Sequence, residues 1–353
     1  MRPFSLEHAA HSKVVVTMNN KGGCGKTTLT LAQGLHAARL GYNVLFMDFD
    51  PQSNLTQRLG LSDTEFKDRR LNQFFKYADT EEFDESHMNL PLIIRYPYFY
   101  RVQGTATKAG KVAILPGSGL AAMEAASTYH KLVADRYNRE DTRDLYQKFE
   151  DSLQQYKRYY DFVFIDTAPA IEGNILCQLA VRAADEIVCP VDGLEAALGL
   201  KHFINWANIE TYHLREQKKK RPNMLFTMVK YQDDTKEYKD LIEESNEEQI
   251  KNVVYRALKS NLGEFVCENG IQERQSMRNT VYGGFGRKNV YEDLCGEILT
   301  RISIPRPNIF DFAPNAISGL QADLKKIDVQ ALKTRRPTFL APKYISEVIQ
   351  NAR

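Results

Sequence analysis

Short apolar runs separated by longer amphipathic stretches set the pattern of this chain from Lys13 onward. The run V-V-V-T-M at 14–18 is short and continuous, as expected of a strand buried on both faces. Residues 27–40, T-T-L-T-L-A-Q-G-L-H-A-A-R-L, place apolar positions at helical spacing and stop at Gly41, a C-terminal cap. The runs N-V-L-F-M-D (43–48), K-V-A-I-L-P (111–116), D-F-V-F-I-D (161–166), E-I-V-C-P-V (186–191) and M-L-F-T-M-V (224–229) are predicted strands, and a helix is predicted from about Leu194 to Gln217. Apolar strands alternating with helices imply an α/β fold, a parallel sheet covered by helices on both faces.

Two regions interrupt this rhythm. Residues 61–110 are polar and aromatic, with Y-P-Y-F-Y at 96–100, and are expected to form a helix with a lid-like insertion. Residues 232–258 are strongly charged and end in the helical pattern I-K-N-V-V-Y-R-A-L, so a second insertion is placed at about 232–270. Beyond Ile304, Pro-rich punctuation opens a tail expected to hold two or three short helices. The organisation that follows is one α/β domain over 1–303 and a helical C-terminal extension over 304–353, packed on the domain or on a partner.

Composition narrows the class without deciding it. The 353 residues are 43% hydrophobic and 26% charged, which suits a globular protein with a substantial core. Lysines and arginines (47) nearly balance aspartates and glutamates (45), so a surface for nucleic acid or membrane has to be local. Five scattered cysteines form no C-x-x-C pair, which favours reduced thiols over a disulfide framework or an iron–sulfur site. The first residues lack the apolar core of a signal peptide, and no apolar stretch approaches a membrane span. A soluble cytoplasmic protein is the expectation.

The candidate chemistry lies directly after the first strand, in N-N-K-G-G-C-G-K-T-T (19–28). Backbone without side chains can wrap a polyphosphate closely, so Gly22, Gly23 and Gly25, with Cys24 between them, suit a loop whose N–H groups point inward. The helix that follows adds free donors and a favourable dipole. Lys26 is placed to reach the β- and γ-phosphates, the Thr27 hydroxyl to ligate Mg²⁺, and Thr28 to bond the α-phosphate. A strict phosphate-loop pattern wants glycine where this chain has Asn20, and it has no place for a second lysine, Lys21, at the loop mouth.

K-G-G-C-G-K-T-T closely resembles the deviant Walker A motif, K-G-G-x-G-K-T-T, of the ParA/MinD superfamily of ATPases. M-D-F-D-P-Q-S-N-L-T (47–56) resembles that family's D-x-D-P-Q-x-N switch, and F-V-F-I-D-T-A-P (162–169) its Walker B strand and second switch. Weaker likenesses continue at 186–200 and 273–294. The resemblance implies a P-loop NTPase-type sheet, ATP and Mg²⁺ as cofactors, and hydrolysis of ATP to ADP and phosphate. It implies that Lys21 reaches across a nucleotide-sandwich homodimer to the partner's ATP. By the same resemblance Asp50 positions or activates the attacking water, Asp48 and Asp166 hold Mg²⁺ through water, and 167–169 sense the γ-phosphate.

Within the superfamily, the cysteine spacing argues against metal-cluster carriers. The single tyrosine of the last fifty residues, Tyr344, argues against tyrosine autokinases, and V-K-Y-Q-D (229–233) has the wrong spacing for guanine recognition. The final P-K-Y-I-S-E-V-I-Q-N-A-R offers only a short apolar face with few lysines, so membrane attachment is not expected. The resemblance is strongest to ParA-type partition ATPases, which implies non-specific DNA binding, a ParB-like or other adaptor that stimulates hydrolysis, and nucleoid association. The DNA-binding candidates are Arg274, Arg278, Arg287 and Lys288, with K-K-K-R at 218–221 as the alternative patch. The alternative function is a MinD-like or cargo-positioning ATPase that acts through a protein adaptor or a membrane rather than DNA.

Overall fold

The computed structural model describes residues 12–62, 66–80, 87–94, 110–135, 141, 143–217, 219–229, 246–270, 290–312 and 314–327. Seven strands form one sheet: β1 (Lys13–Thr17), β2 (Val44–Phe49), β3 (Leu92–Ile94), β4 (Val112–Leu115), β5 (Phe162–Thr167), β6 (Glu186–Val191) and β7 (Asn223–Met228). Their spatial order is β3-β4-β2-β5-β1-β6-β7. Strands β2, β5, β6 and β7 are buried along their whole length, which is why they read as unbroken apolar runs. Every pairing is parallel except β3 with β4. The helix-covered parallel sheet expected from the sequence is thus present, with one antiparallel pairing at its edge.

Alternate residues of the strands feed two apolar layers. Val15, Phe46 and Phe164 face α1 (Lys26–Arg39) and the helix Val290–Ser303, while Val14, Val16 and Met47 face the opposite layer. Helix α1 lies flush on the sheet because Gly34 has no side chain: a Cβ there would fall 2.2 Å from the Phe46 ring. Gly41, at φ 97°, ends the helix in the left-handed conformation that favours glycine.

The 61–110 region is not lid-like over its described part. The helix Leu71–Ala78 buries Leu71, Phe74, Phe75 and Ala78, and Phe74 meets Phe75 and Phe149 edge-on. Together with β3 it completes one side of the core; residues 96–100 lie outside the described residues. The helix expected over 194–217 is broken into Gly193–Glu210 and Tyr212–Glu216. At the break, the Thr211 hydroxyl donates to the Ala207 carbonyl (2.7 Å), and Arg221 donates to the Asn208 carbonyl (3.0 Å) and to Thr211 Oγ1 (3.0 Å). Arg221 is buried, with Phe310 stacked 4.1 Å from its guanidinium, and Lys219 pairs with Glu150. Arg221 of the K-K-K-R run is thus engaged inside the chain, while Lys219 stays at the surface in its pair with Glu150.

The described part of the tail is built into the same core. Ile309, Leu320 and Leu324, on helices Ile309–Phe312 and Pro314–Lys325, join the layer that also holds the helices Asn246–Leu262 and Gly193–Glu210. Arg306 forms an ion pair with Glu186 at the start of β6, both side chains being almost fully buried. Burial outweighs the arginine's pull and pushes Glu186 up to about 7. Among the described residues no helix is long and apolar enough to cross a membrane.

Removing one member of this pair strands the other in the interior. Arg306→Met is expected to lower unfolding stability by about 3–5 kcal/mol, and the double variant with Glu186→Met to recover most of that loss. Urea melts of the two single variants and the double variant check this; simple additivity would show that the pair does not hold the tail in place.

Candidate functional site

Three strand ends build the site. In the sheet β5 lies between β1 and β2, and the register sets Asp166 beside Thr17 on one side and beside Asp48 on the other. The loop after β1 leads into α1 over the same carboxyl edge, where ligands of open α/β sheets bind. Gly23 (φ 73°) and Gly25 (φ 83°) take left-handed backbone, and a side chain at Gly22 or Gly23 would meet nothing within 4 Å. Gly25 caps α1 without a side-chain hydrogen bond, so no cap side chain accepts from the first N–H groups of the helix. This is an anion-accepting surface formed by backbone alone.

The two lysines of the loop occupy different places. Lys26 is buried, and its Nζ donates to the Lys21 carbonyl (2.8 Å), inside the curl of the loop. The Lys21 ammonium stands on the rim, 3.3 Å from Glu195 and 3.4 Å from the Asp192 carbonyl, with a third of its side chain exposed. Cys24 is buried between them, its Sγ 3.2 Å from the Lys21 carbonyl. All five cysteines are buried and none forms a disulfide. The loop is anchored by Asn19, whose Nδ2 donates to the Pro190 carbonyl (2.6 Å) and whose Oδ1 accepts from Lys21 N (2.8 Å). Sequence reasoning missed Asn19 because its partner is 171 residues away.

Asp48 and Asp166 are both fully buried. Asp48 Oδ2 accepts from Thr56 N (2.8 Å) and Thr56 Oγ1 (2.7 Å), and Asp48 Oδ1 accepts from Asp50 N (3.2 Å). Gly117 N in turn donates to Thr56 Oγ1 (2.8 Å), and a Cβ at Gly117 would sit 2.9 Å from the Asp48 carboxyl carbon. Thr56 stands in the quoted switch stretch, and the threonine after D-P-Q-S-N was the signal available. Asp166 Oδ1 accepts from the Thr30 hydroxyl (3.3 Å), whereas Asp166 Oδ2 has no hydrogen-bond partner among the described residues. Burial pushes Asp48 up to about 6; burial, reinforced by the neighbouring Asp48 charge, pushes Asp166 up to about 8. Asp50 sits at the turn, its Oδ1 accepting from Gln52 N (2.9 Å), and Ser53 is held in the left-handed region at φ 53°.

The orphaned Asp166 oxygen and the two adjacent carboxylates fit a divalent cation. Among the described residues there is no group of three or more His, Cys, Asp or Glu that could hold a metal by itself. A small cation there would take the remaining positions from water and phosphate, with Thr27 at the head of α1 beside it, which is the habit of Mg²⁺. The Thr167 hydroxyl is directed into the sheet and donates to the Thr17 carbonyl (3.0 Å). Thr28 accepts a hydrogen bond from Arg58 (2.7 Å), a contact the sequence did not suggest. Arg274, Arg278, Arg287 and Lys288 lie outside the described residues.

Comparison with known proteins agrees with this geometry. A family model described as "AAA domain" matches residues 12–221, more than half of the chain. The sporulation initiation inhibitor protein Soj of Bacillus subtilis (strain 168) is 28% identical over 203 residues, covering 57% of this chain and 67% of that protein. The chromosome-partitioning ATPase Soj of Treponema pallidum (strain Nichols) is 30% identical over 179 residues, covering 51% of this chain and 56% of that protein. The matches thus leave a third or more of these relatives unspanned. Among solved structures, cobyrinic acid a,c-diamide synthase from Mycobacterium smegmatis, with bound ATP analogue and magnesium, superposes with a TM-score of 0.55 at 18% identity, over 84% of this chain and 97% of that one. At that identity the likeness speaks for the fold.

The buried carboxylates make a pH prediction. Their native affinity for protons is raised, so their contribution to stability is complete below the ordinary carboxylate range, about 4, and is lost as pH rises toward about 8. Asp166→Asn is therefore expected to be more stable than the parent at alkaline pH, by roughly 1–3 kcal/mol without divalent cations, and the gap to close toward pH ~4. Thermal melts across that range check it; a gap that does not change with pH would contradict the assignment of a strained carboxylate pair.

Proposed function

Because the chain belongs to the AAA-domain family and is a P-loop ATPase of the ParA/MinD superfamily, we propose that it works as a ParA-type switch. In this reading it dimerises around two Mg–ATP molecules, binds DNA without sequence preference as that dimer, and resets by slow hydrolysis. A ParB-like or other adaptor protein stimulates the hydrolysis, and DNA binding places the protein on the nucleoid. ATP is the substrate, and Mg²⁺ supplies charge neutralisation of the phosphates when bound. The catalytic core is residues 1–303, and 304–353 is an extension of it.

The observation that carries the reading is the separation of the two lysines. Lys26 is turned into the loop, where it serves the β- and γ-phosphates of its own chain's nucleotide. Lys21 stands at the rim, tethered to an exposed glutamate, Glu195, in a contact worth little in solvent. A cation so placed can exchange that partner for the phosphates of a facing copy, where it meets the negative charge that develops during transfer. Gly22, Gly23, Cys24 and Gly25 supply the backbone cradle, and Thr28 takes the α-phosphate side. Thr27, Asp48 and Asp166 hold the metal, the two aspartates through water. Asp50 orients the attacking water from the turn that follows β2. The name of the Treponema relative includes chromosome partitioning, which supports partition as the biological setting.

Lys21→Ala is expected to bind ATP as the parent does and to lose dimer-dependent turnover by about 10²–10³-fold, the size of a missing transition-state donor. Steady-state ATPase assays over a range of protein concentration check this; normal turnover would remove Lys21 from the mechanism. Retention of unrelated duplex DNA on filters is expected with ATP, to be much weaker with ADP, and to fall steeply with salt. Absence of ATP-dependent retention would favour an adaptor-driven positioning role instead.

A further inference from the structure

Arg58 ends the short helix Asn54–Arg58, directly after the switch turn, and donates from Nη1 to the Thr28 hydroxyl at 2.7 Å. Thr28 is the third residue of α1, so the guanidinium is held against the first turn of a 14-residue helix. That turn carries the positive end of the helix dipole and N–H groups that no cap side chain satisfies. Buried Lys26 opens the same turn. Among the described residues the guanidinium forms no ion pair with a carboxylate. A cation beside the positive end of a helix and a buried lysine is electrostatically unfavourable until an anion joins them.

Nor is the placement loose. The neighbouring residues of the same helix are fixed from the other side, because Thr56 bonds to buried Asp48 through both N and Oγ1, and Leu55 and Leu59 are buried. Tyr291, on the helix Val290–Ser303, lies close enough to feel the Arg58 charge. A rigidly held guanidinium beside a helix N-terminus becomes favourable when an anion lies between the two. The anion that a phosphate loop brings to its third helical residue is the α-phosphate.

We propose that Arg58 is a further nucleotide-binding residue, its guanidinium engaging, in the same chain and alongside Thr28, the α-phosphate of a nucleoside di- or triphosphate. The proposal rests on the phosphate-loop reading given above. It also gives the short helix two ends with different tasks: Thr56 steadies a carboxylate on the metal side, and Arg58 serves the phosphate chain. Since the α-phosphate is common to ADP and ATP, Arg58 sets affinity for both and leaves discrimination between them to the two lysines of the loop.

Calorimetric titration of the full chain with MgADP and with a non-hydrolysable MgATP analogue tests this. Arg58→Gln is expected to weaken both by about tenfold or more, the size of a charged hydrogen bond, with their ratio unchanged. Arg58→Lys is expected to recover part of the loss, since it keeps the charge without the planar fork. Arg215→Gln, an exposed change of the same charge on the helix Tyr212–Glu216, is expected to change neither. The melting temperature without nucleotide is expected to hold in Arg58→Gln, while its rise on adding ADP shrinks. Parent-like affinity in Arg58→Gln, a loss confined to the ATP analogue, or a lowered melting temperature with intact affinity would each overturn the proposal. Lys26→Ala in the same titration separates the two levels. If it binds nucleotide as the parent does, the phosphate-loop reading fails; if it loses binding while Arg58→Gln does not, only the role of Arg58 fails.

Discussion

Two like-charged carboxylates side by side in the interior are the constraint on which the site depends. The parallel register of β2 and β5 sets Asp48 opposite Asp166, both fully buried. Neither is neutralised by a basic side chain at ion-pair distance among the described residues, and Asp166 keeps an oxygen with no donor. Such a pair costs stability unless a proton or a cation joins it. The surrounding structure looks arranged to hold one member ready: Thr56 gives Asp48 two hydrogen bonds, and the Gly117 N–H fixes the Thr56 hydroxyl. Strain of this kind is tolerable because a seven-stranded sheet and the apolar layers on its two faces over-determine the backbone beneath it.

The loop above the carboxylates divides positive charge by depth. Lys26 is folded inward on the Lys21 carbonyl, while the Lys21 ammonium rests on the rim against Glu195. Asn19 ties the start of the loop to β6 through the Pro190 carbonyl, so the loop, the Lys21 tether at 192–195 and the end of β6 form one connected edge. In the proposed cycle, a change in what occupies the loop reaches the Lys21 rim, the side assigned to the facing copy. This is the physical link between nucleotide and dimer that the proposed cycle uses.

Much of the architecture was legible because burial writes itself into runs of apolar residues. The strands of the sheet's interior and α1 stand where the pattern placed them, within a residue or two. The phosphate-loop motif was legible because close backbone approach demands glycines at fixed spacing, and the resemblance singled out Asp48 and Asp166, which the parallel register sets side by side. What escaped depends on contacts between distant segments. Strand β3 has only three residues, too few to show a period, and the buried face of the helix Leu71–Ala78 was masked by polar neighbours. Helices Ala121–Ala134 and Leu145–Tyr156 were not picked out, although Asp144 and Gln147 form a capping box at the start of the second. The roles of Asn19, Gly117 and Arg58 are set by partners 30 to 171 residues away, which spacing within a motif does not encode.

The central claim is that this buried carboxylate pair, whose affinity for protons is raised by burial and by mutual repulsion, is relieved when a metal-bound nucleotide arrives. Proton exchange on binding tests it most directly, by measuring the enthalpy of MgADP binding near neutral pH in several buffers of different ionisation enthalpy. The account predicts net proton release by the parent protein, since the raised affinity of Asp166 for protons is abolished when a cation is held beside it. It predicts a much smaller release from Asp166→Asn. Binding without proton release by the parent, or release undiminished in the variant, would contradict it.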